Sequence, residues 1–153
     1  MHIIFDIDGT LADASERLKH ITGEGKAKDW DAFFAAENMG ADEPIPAMMN
    51  LCTELTCNMG IWFLTGRPER TRDATCHWFA DQGFDPIWVD RHLLMRADND
   101  RRPSHEVKRD HLHALRARGI HPTLAFEDRK ADAEMYRSEG VLTALVGFGD
   151  GDF

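Results

Sequence analysis

The sequence predicts an α/β fold in which a parallel sheet is covered by helices on both faces. Three short apolar runs, each typical of a buried strand, occupy residues 3–5, 61–64 and 124–126. Helical patterns separate these runs, and strands that alternate with helices favour a parallel sheet. We therefore predict a three-layer, Rossmann-like α/β fold, in which ligands bind beyond the carboxyl ends of the strands.

The other elements follow from periodicity and from helix-start signals. Apolar side chains that recur every three to four residues predict helices, and Pro68 stands where a proline commonly opens one. The predicted helices lie near residues 12–21, 29–37, 47–58, 107–118 and 131–139, with a further helix after Pro68. The predicted strands lie near residues 2–5, 61–64, 87–89, 123–126 and 141–146, and a long polar loop follows residue 89.

Length and composition agree with one compact domain over residues 1–153. A chain of this length buries about two-thirds of its unfolded surface, and 42% of its residues are hydrophobic, as in globular proteins. We expect no membrane partner and no leader peptide, because no run is apolar enough to span a bilayer and the chain leads directly into its first strand. Three cysteines without paired metal spacing favour reduced thiols and a cytoplasmic location.

Two carboxylates follow the first predicted strand. Asp6 and Asp8 are two residues apart on an extended segment and therefore share a face. Gly9 permits a sharp turn and Thr10 offers a hydroxyl, which suits a site that holds phosphate beside a cation. The pattern predicts phosphoryl transfer, in which one aspartate attacks phosphorus and the other moves protons. A solvated acidic turn is the alternative.

Polar residues also follow the second buried strand. Thr65, Gly66 and Arg67 offer a hydroxyl, a free amide and a guanidinium that are suited to binding phosphate oxygens. Lys108 stands at the start of a helical pattern and adds a positive charge.

A third apolar strand ends in the acidic pair Glu127 and Asp128, with Asp132 four residues beyond. Two unit charges about 4 Å apart repel by roughly 4 kcal/mol at an effective dielectric near 20. A phosphate dianion among these carboxylates therefore needs a cation. All-oxygen ligands favour Mg²⁺, whereas zinc favours cysteine or histidine.

The chain resembles the haloacid dehalogenase-like phosphohydrolases over nearly its whole length. The resemblance rests on four motifs that occur in the same order, namely the DxD pattern, the strand-end threonine, the lysine and the strand-end acidic pair. The resemblance implies that Asp6 is the nucleophile and Asp8 the general acid/base, and that Thr65 and Lys108 bind phosphate.

The same resemblance implies the metal ligands. The Asp6 carboxylate, the Asp8 backbone carbonyl and Asp128 would hold Mg²⁺. Glu127 stands where many relatives carry aspartate, and it would contact the metal directly or through water.

A closer resemblance is to the 3′-phosphatase domains of bacteriophage polynucleotide kinase-phosphatases. It implies a nucleic-acid end as substrate, phosphate or backbone contacts from Arg96, Arg102 and Arg129, and the host cytoplasm as location for a phage-encoded chain. Ser104 replaces a usual aspartate, and residues 132–133 replace an apolar pair. No GxxxxGK[ST] kinase loop occurs in the sequence. The segments that carry the resemblance are residues 95–103, 107–108, 127–129, 135–137 and 151–153.

Two substrates and one non-catalytic role are compatible with the sequence. The resemblance favours a terminal 3′ phosphate on DNA or RNA. The small size and the net charge of −9 also allow a free nucleoside monophosphate, as in a 5′-nucleotidase, because polynucleotide binders usually show a broad basic field. A nucleotide-binding module without turnover is the third possibility, against which the complete set of motifs argues. The oligomeric state is unknown.

We predict that residues from about 12 to 46 form a small helical cap insert between the first strand and the next core helix. Trp30, Phe33 and Phe34 fall on or near one face of this insert. We expect them to pack the insert onto the core, and base stacking is the alternative. For Arg17 a solvated surface position is the expectation.

Overall fold

A five-stranded parallel sheet forms the centre of the computed structural model, which describes residues 1–22 and 27–147. An antiparallel pair of short strands lies in the insert. In chain order the strands are β1 (His2–Phe5), β2 (Ala12–Asp13), β3 (Glu43–Pro44), β4 (Gly60–Pro68), β5 (Leu93–Arg96), β6 (Pro122–Glu127) and β7 (Leu142–Leu145). The central sheet has the order β5-β4-β1-β6-β7, so the predicted α/β fold with a parallel sheet is confirmed.

Helices cover both faces of the sheet. In chain order they are α1 (Ser15–Leu18), α2 (Trp30–Phe33), α3 (Ala36–Gly40), α4 (Pro46–Thr56), α5 (Arg72–Asp81), α6 (Pro86–His92), α7 (Ser104–Ala117) and α8 (Lys130–Ser138). Alternate residues of β1 point to opposite faces. Ile3 and Phe5 pack with α4, α5 and α6, whereas Ile4 packs with α7 and α8.

One predicted strand is wrong. The apolar run at residues 87–89 lies in α6, because Pro86 occupies the first turn and the Asp85 side chain accepts hydrogen bonds from the backbone N–H groups of Ile87 and Trp88. The fifth strand of the sheet is instead β5, which lies within the predicted polar loop.

The insert contains shorter elements than its periodicity predicts. The helix expected near residues 12–21 begins with β2 and keeps only the four residues of α1. The helix expected near residues 29–37 is divided into α2 and the start of α3. Pro68 is the last residue of β4, and a 3₁₀ turn at Glu69–Thr71 precedes α5. Residues 151–153 of the resemblance lie outside the described residues.

Among the described residues, no helix combines the length and the hydropathy that crossing a bilayer requires.

Candidate active site

Asp6 lies directly after β1, at the carboxyl edge of the sheet. Its backbone N–H donates to the carbonyl oxygen of Phe126 at 3.0 Å, which fixes it beside the end of β6. The residue is only 4% exposed, and Oδ1 accepts a hydrogen bond from Lys108 Nζ at 2.8 Å. Burial and the neighbouring Glu127 carboxylate raise the pKa of Asp6 to about 8.

Gly9 makes the turn that follows the two aspartates. Its φ of +84° lies in the left-handed region that favours glycine. A Cβ atom at this position would collide with the Asp128 carboxylate, which packs directly on the Gly9 backbone. Gly9 therefore lets the first and the last acidic motif of the chain come together.

Lys108 lies on α7 and is surrounded by three carboxylates. Its Nζ is 2.8 Å from Asp6, 2.7 Å from Glu127 and 2.9 Å from Asp132. Burial disfavours the ammonium charge, but the three carboxylates together raise the pKa of Lys108 well above its ordinary value. Lys108 therefore carries a positive charge at neutral pH and holds Asp6 in place.

Ser104 and Asp132, the two departures from the phage pattern, contact each other. Ser104 Oγ donates to Asp132 Oδ2 at 2.8 Å, and both residues are buried. Burial opposes the charge of Asp132, yet Lys108 and this hydrogen bond lower its pKa. Ser104 thus supplies a neutral donor to Asp132, where an aspartate would add a further negative charge.

Two arginines hold Asp8. Its Oδ1 lies 2.5 Å from Arg17 Nη2 and 2.6 Å from Arg67 Nη2. Both guanidinium groups also contact Asp42, at 2.7 Å from Arg17 and 3.3 Å from Arg67. Burial opposes ionisation of Asp8, but Arg67 and Arg17 lower its pKa to about 2. Asp8 is therefore ionised in the protein without substrate.

The structure corrects the expectations for both arginines. Arg17 is buried rather than solvated, with 2% of its side chain exposed. Arg67, expected to bind phosphate, is fully buried, and its third contact is the Thr75 hydroxyl, which lies 3.3 Å from Nη1. The reason is that Asp8 and Asp42, one at the sheet edge and one in the insert, need compensating charges between them.

An irregularity in β4 brings Thr65 and Gly66 to the site. Leu64 pairs with Leu94 and Pro68 pairs with Arg96, so residues 65–67 oppose a single residue of β5. Thr65 Oγ1 accepts the Arg67 backbone N–H at 3.1 Å. Among the described residues the Thr65 hydroxyl donates to no acceptor, so its hydrogen can be donated to a phosphate oxygen.

The arginines of the loop after β5 are held by protein groups. Arg96 Nε donates to the Gly66 carbonyl at 3.1 Å, and Nη1 donates to the carbonyls of Asp100 and Arg102 at 3.2 and 2.7 Å. Arg102 pairs with Asp100 at 2.7 Å and with Asp110 at 2.9 Å. Arg96 therefore shapes this loop, and Arg102 already has two carboxylate partners.

Asp6, Glu127 and Asp128 form a carboxylate cluster, with one oxygen from each within 4.8 Å of the others. Burial and Asp6 raise the pKa of Asp128 to about 7, and Asp128 Oδ1 is buried without a hydrogen-bond partner among the described residues. Glu127 differs, because Oε2 accepts from Lys108 and Oε1 accepts the backbone N–H groups of Asp128 and Arg129. The oxygen ligands and the unpartnered Asp128 oxygen fit a hard cation.

A cavity of about 690 Å³ opens above these groups. The predicted site residues that line it are Asp6, Asp8, Thr65, Gly66, Arg96, Arg102, Lys108, Asp128 and Arg129. Its wall on the side of the insert includes Leu18, Ile21, Trp30, Phe33 and Phe34. Glu127 contacts Lys108 and Arg67 contacts Asp8, but neither of them lines the cavity.

Solved structures share this fold at low sequence identity. A chain of the Pnkp1/Rnl/Hen1 RNA repair complex superposes with a TM-score of 0.73 and 21% identity, over 97% of this chain and 43% of that one. A haloacid dehalogenase-like hydrolase from Streptococcus pneumoniae gives 0.67 and 18%, over 98% and 86%. The class C acid phosphatase from Bacillus anthracis gives 0.62 and 23%, over 86% and 52%. Comparison with curated proteins finds no match.

The fold and the site define a phosphatase of the haloacid dehalogenase-like class. The present chain spans less than half the length of the repair-complex chains that it resembles. The family model of the polynucleotide kinase PNKP phosphatase domain matches residues 1–153, and the chain belongs to this family. The resemblance predicted from the sequence is therefore confirmed, and the chain is a member of a family of phosphatase domains.

Proposed function

We propose that the protein is a magnesium-dependent phosphatase that removes terminal 3′ phosphates from nucleic acids through an aspartyl-phosphate intermediate. The observation that carries the proposal is the position of Asp6, which lines the cavity, accepts a hydrogen bond from Lys108 and forms the carboxylate cluster with Glu127 and Asp128. The family match supports the choice of substrate.

Asp6 and Asp8 divide the chemistry between them. An Asp6 oxygen attacks phosphorus, and the bond from phosphorus to the sugar oxygen breaks as Asp8 gives that oxygen a proton. Water then attacks the phosphorus of the aspartyl phosphate, the Asp6–phosphorus bond breaks, and Asp8 takes the proton of the water. The two arginines favour the ionised Asp8 that this second step needs. The first step requires that the negative phosphate raise the pKa of Asp8 as it binds.

Lys108 and Thr65 bind the phosphate oxygens in this proposal, and Asp6 and Asp128 hold the metal with the Asp8 backbone carbonyl. When bound, Mg²⁺ neutralises charge on the transferring phosphoryl group. Glu127 positions Lys108, because both of its oxygens already accept hydrogen bonds.

The direct test is phosphate release from a panel of substrates, with Mg²⁺ and with chelator. The panel contains 3′- and 5′-phosphorylated oligonucleotides and the corresponding 3′ and 5′ nucleoside monophosphates. We expect the 3′-phosphorylated oligonucleotide to have the highest kcat/KM and chelator to abolish release. A preference for 5′ mononucleotides at low salt would instead identify a nucleotidase, and release from none of them would leave a binding module.

We expect the free energy of unfolding to depend on pH, because carboxylates of the cluster have raised pKa values in the folded protein. Asp6 and Asp128 have folded pKa values of about 8 and about 7, above the ordinary value of 3.8. The folded chain thus retains protons that the unfolded chain has lost, and the free energy of unfolding of the metal-free protein should fall between about pH 4 and pH 8. Mg²⁺ requires ionised carboxylates, so its stabilising effect should grow over the same window.

Urea denaturation in chelator and in Mg²⁺, at pH 6 and pH 8.5, measures this effect. The Asp128→Asn variant is the control, and its stability should depend less on pH and on Mg²⁺. Equal stabilisation by Mg²⁺ at both pH values would contradict the prediction.

Among the positively charged side chains that line the cavity, we expect Arg101 to bind the phosphate next to the scissile one. It is exposed and lines the cavity, and among the described residues it pairs with no acceptor, unlike Arg96 and Arg102. We expect Arg101→Ala to lower kcat/KM for an oligonucleotide and to reduce the slope of log(kcat/KM) against log[salt] by about 1. Hydrolysis of a 3′ mononucleotide should change little.

The matched control is Arg91→Ala, because Arg91 is also exposed but does not line the cavity. Its salt dependence should equal that of the unmodified protein. An Arg101→Ala variant with an unchanged oligonucleotide salt slope would remove this residue from nucleic-acid binding.

A further inference from the structure

An apolar wall faces the cavity from the insert. Trp30 and Phe34 lie with their rings 18° from parallel and their centres 6.0 Å apart. Trp30 is 37% exposed and Phe34 is half-buried. Leu18 and Ile21 line the same cavity. We define these four residues as the apolar wall.

Phe33 supports the wall from beneath. It is 6% exposed and packs edge-on against Trp30 at 5.7 Å and against Phe34 at 4.8 Å. The Arg17 guanidinium lies 4.5 Å from the centre of the Phe33 ring, and Nη1 donates to the Phe33 carbonyl at 3.0 Å. Since Arg17 also pairs with Asp8, the aromatic rings have a fixed position relative to the reacting groups.

A packing role explains why Phe33 is buried, but it does not explain why Trp30 and Phe34 remain accessible. A tryptophan that served only to attach the insert would be covered by the core, whereas Trp30 remains accessible beside the cavity that contains Asp6. Lys28 Nζ lies 5.7 Å from the centre of the Trp30 ring, within cation–π range, and adds a positive charge beside the wall.

We propose that the apolar wall binds, by stacking on Trp30 and Phe34, the base of the nucleotide that carries the scissile phosphate. The inference rests on the proposed function and specifies how the substrate is recognised. The cavity has polar and charged groups at Asp6 and an aromatic surface on its insert side, as a nucleotide with its phosphate at one end and its base at the other requires. Stacking tolerates every base, because each base has a π face, so a base is required but its identity matters little.

The test compares two 3′-phosphorylated oligonucleotides of the same length, one with a normal terminal base and one with a terminal abasic tetrahydrofuran residue. Base–aromatic stacking of ordinary strength predicts that the unmodified protein processes the abasic substrate with a kcat/KM lower by roughly 5- to 150-fold. Trp30→Ala should lower kcat/KM by a similar factor on the normal substrate and hardly at all on the abasic one, because the two changes remove the same interaction.

Two variants and one control complete the design. Trp30→Phe should retain most of the activity on the normal substrate, and Phe34→Ala should reproduce the selective loss in part. Ile87→Ala is the control, because Ile87 is an exposed apolar residue, at 64%, that does not line the cavity. Its kcat/KM should be unchanged on both substrates.

Equal losses on both substrates in Trp30→Ala would overturn the stacking role and leave Trp30 with a packing role. Equal processing of both substrates by the unmodified protein would also overturn it, while the proposed function would stand. Failure of the unmodified protein to release phosphate from either oligonucleotide would instead overturn the proposed function, and this assignment with it.

Discussion

Asp6→Asn is expected to abolish phosphate release while the protein stays folded. The amide keeps the shape of the side chain, and its oxygen can still accept the hydrogen bond that Lys108 Nζ donates at 2.8 Å. It lacks the carboxylate that we propose as the nucleophile, so kcat should fall by roughly 10³-fold or more, as for other removed nucleophiles. Steady-state release of phosphate from the best substrate of the panel measures the loss, and circular dichroism checks the fold.

Asp13→Asn is the matched control. Asp13 is an exposed carboxylate that lines the same cavity, and it caps a turn by accepting the Ser15 backbone N–H at 2.9 Å, which an asparagine also does. Its activity should be close to that of the unmodified protein. Near-normal turnover by purified Asp6→Asn would exclude the covalent role of Asp6.

Arg67→Met should have the largest effect on stability. Arg67 and Arg17 together neutralise the carboxylates of Asp8 and Asp42. The substitution leaves Arg17 as the only one of these two arginines that still pairs with the carboxylates. Removing one member of a buried ion pair costs about 3–5 kcal/mol, because the other charge stays buried without full compensation. We expect a loss of this size in the free energy of unfolding, measured with urea, and a fall in activity because Asp8 loses one of its two supports.

Arg102→Met provides the comparison for stability. The Arg102 side chain is 48% exposed, and its pairs with Asp100 and Asp110 lie at the surface. Pairs of this kind contribute little to stability, because water screens the charges. If the two variants lost the same stability, the buried group of charges would not have the importance that the geometry indicates.

The central part of the fold and the composition of the site follow from local patterns. Apolar runs with polar residues at their ends predict which side chains reach the carboxyl edge of a parallel sheet, so Asp6, Thr65 and Asp128 are placed together without knowledge of the packing. The error at residues 87–89 arose because three apolar residues in a row fit a strand or a helix equally well. Asp85 followed by Pro86 is a helix-start signal that would have resolved the choice.

The buried ion pairs and hydrogen bonds that hold the site residues in place could not be predicted in the same way. Arg17 and Asp42 are 25 residues apart, and Arg67 and Asp8 are 59 residues apart. No local pattern distinguishes an arginine that will be buried beside a carboxylate from one that will face water. The Ser104–Asp132 contact left a weak signal, because both positions differ from the phage-domain pattern that the chain otherwise resembles, but a contact between them required the structure.

The buried charges around Asp8 have a mechanical consequence. Arg17 and Asp42 belong to the insert, whereas Asp8 and Arg67 belong to the sheet, and Trp78 Nε1 on α5 donates to the Asp42 carbonyl at 2.8 Å. A swing of the insert away from the sheet would separate opposite charges that are buried, and their attraction opposes such a motion. We therefore expect the mouth of the cavity to keep its width while substrate binds and product leaves. Under the proposed function, a nucleic-acid end would enter through an opening of fixed width, and the product would leave through the same opening without a hinge motion.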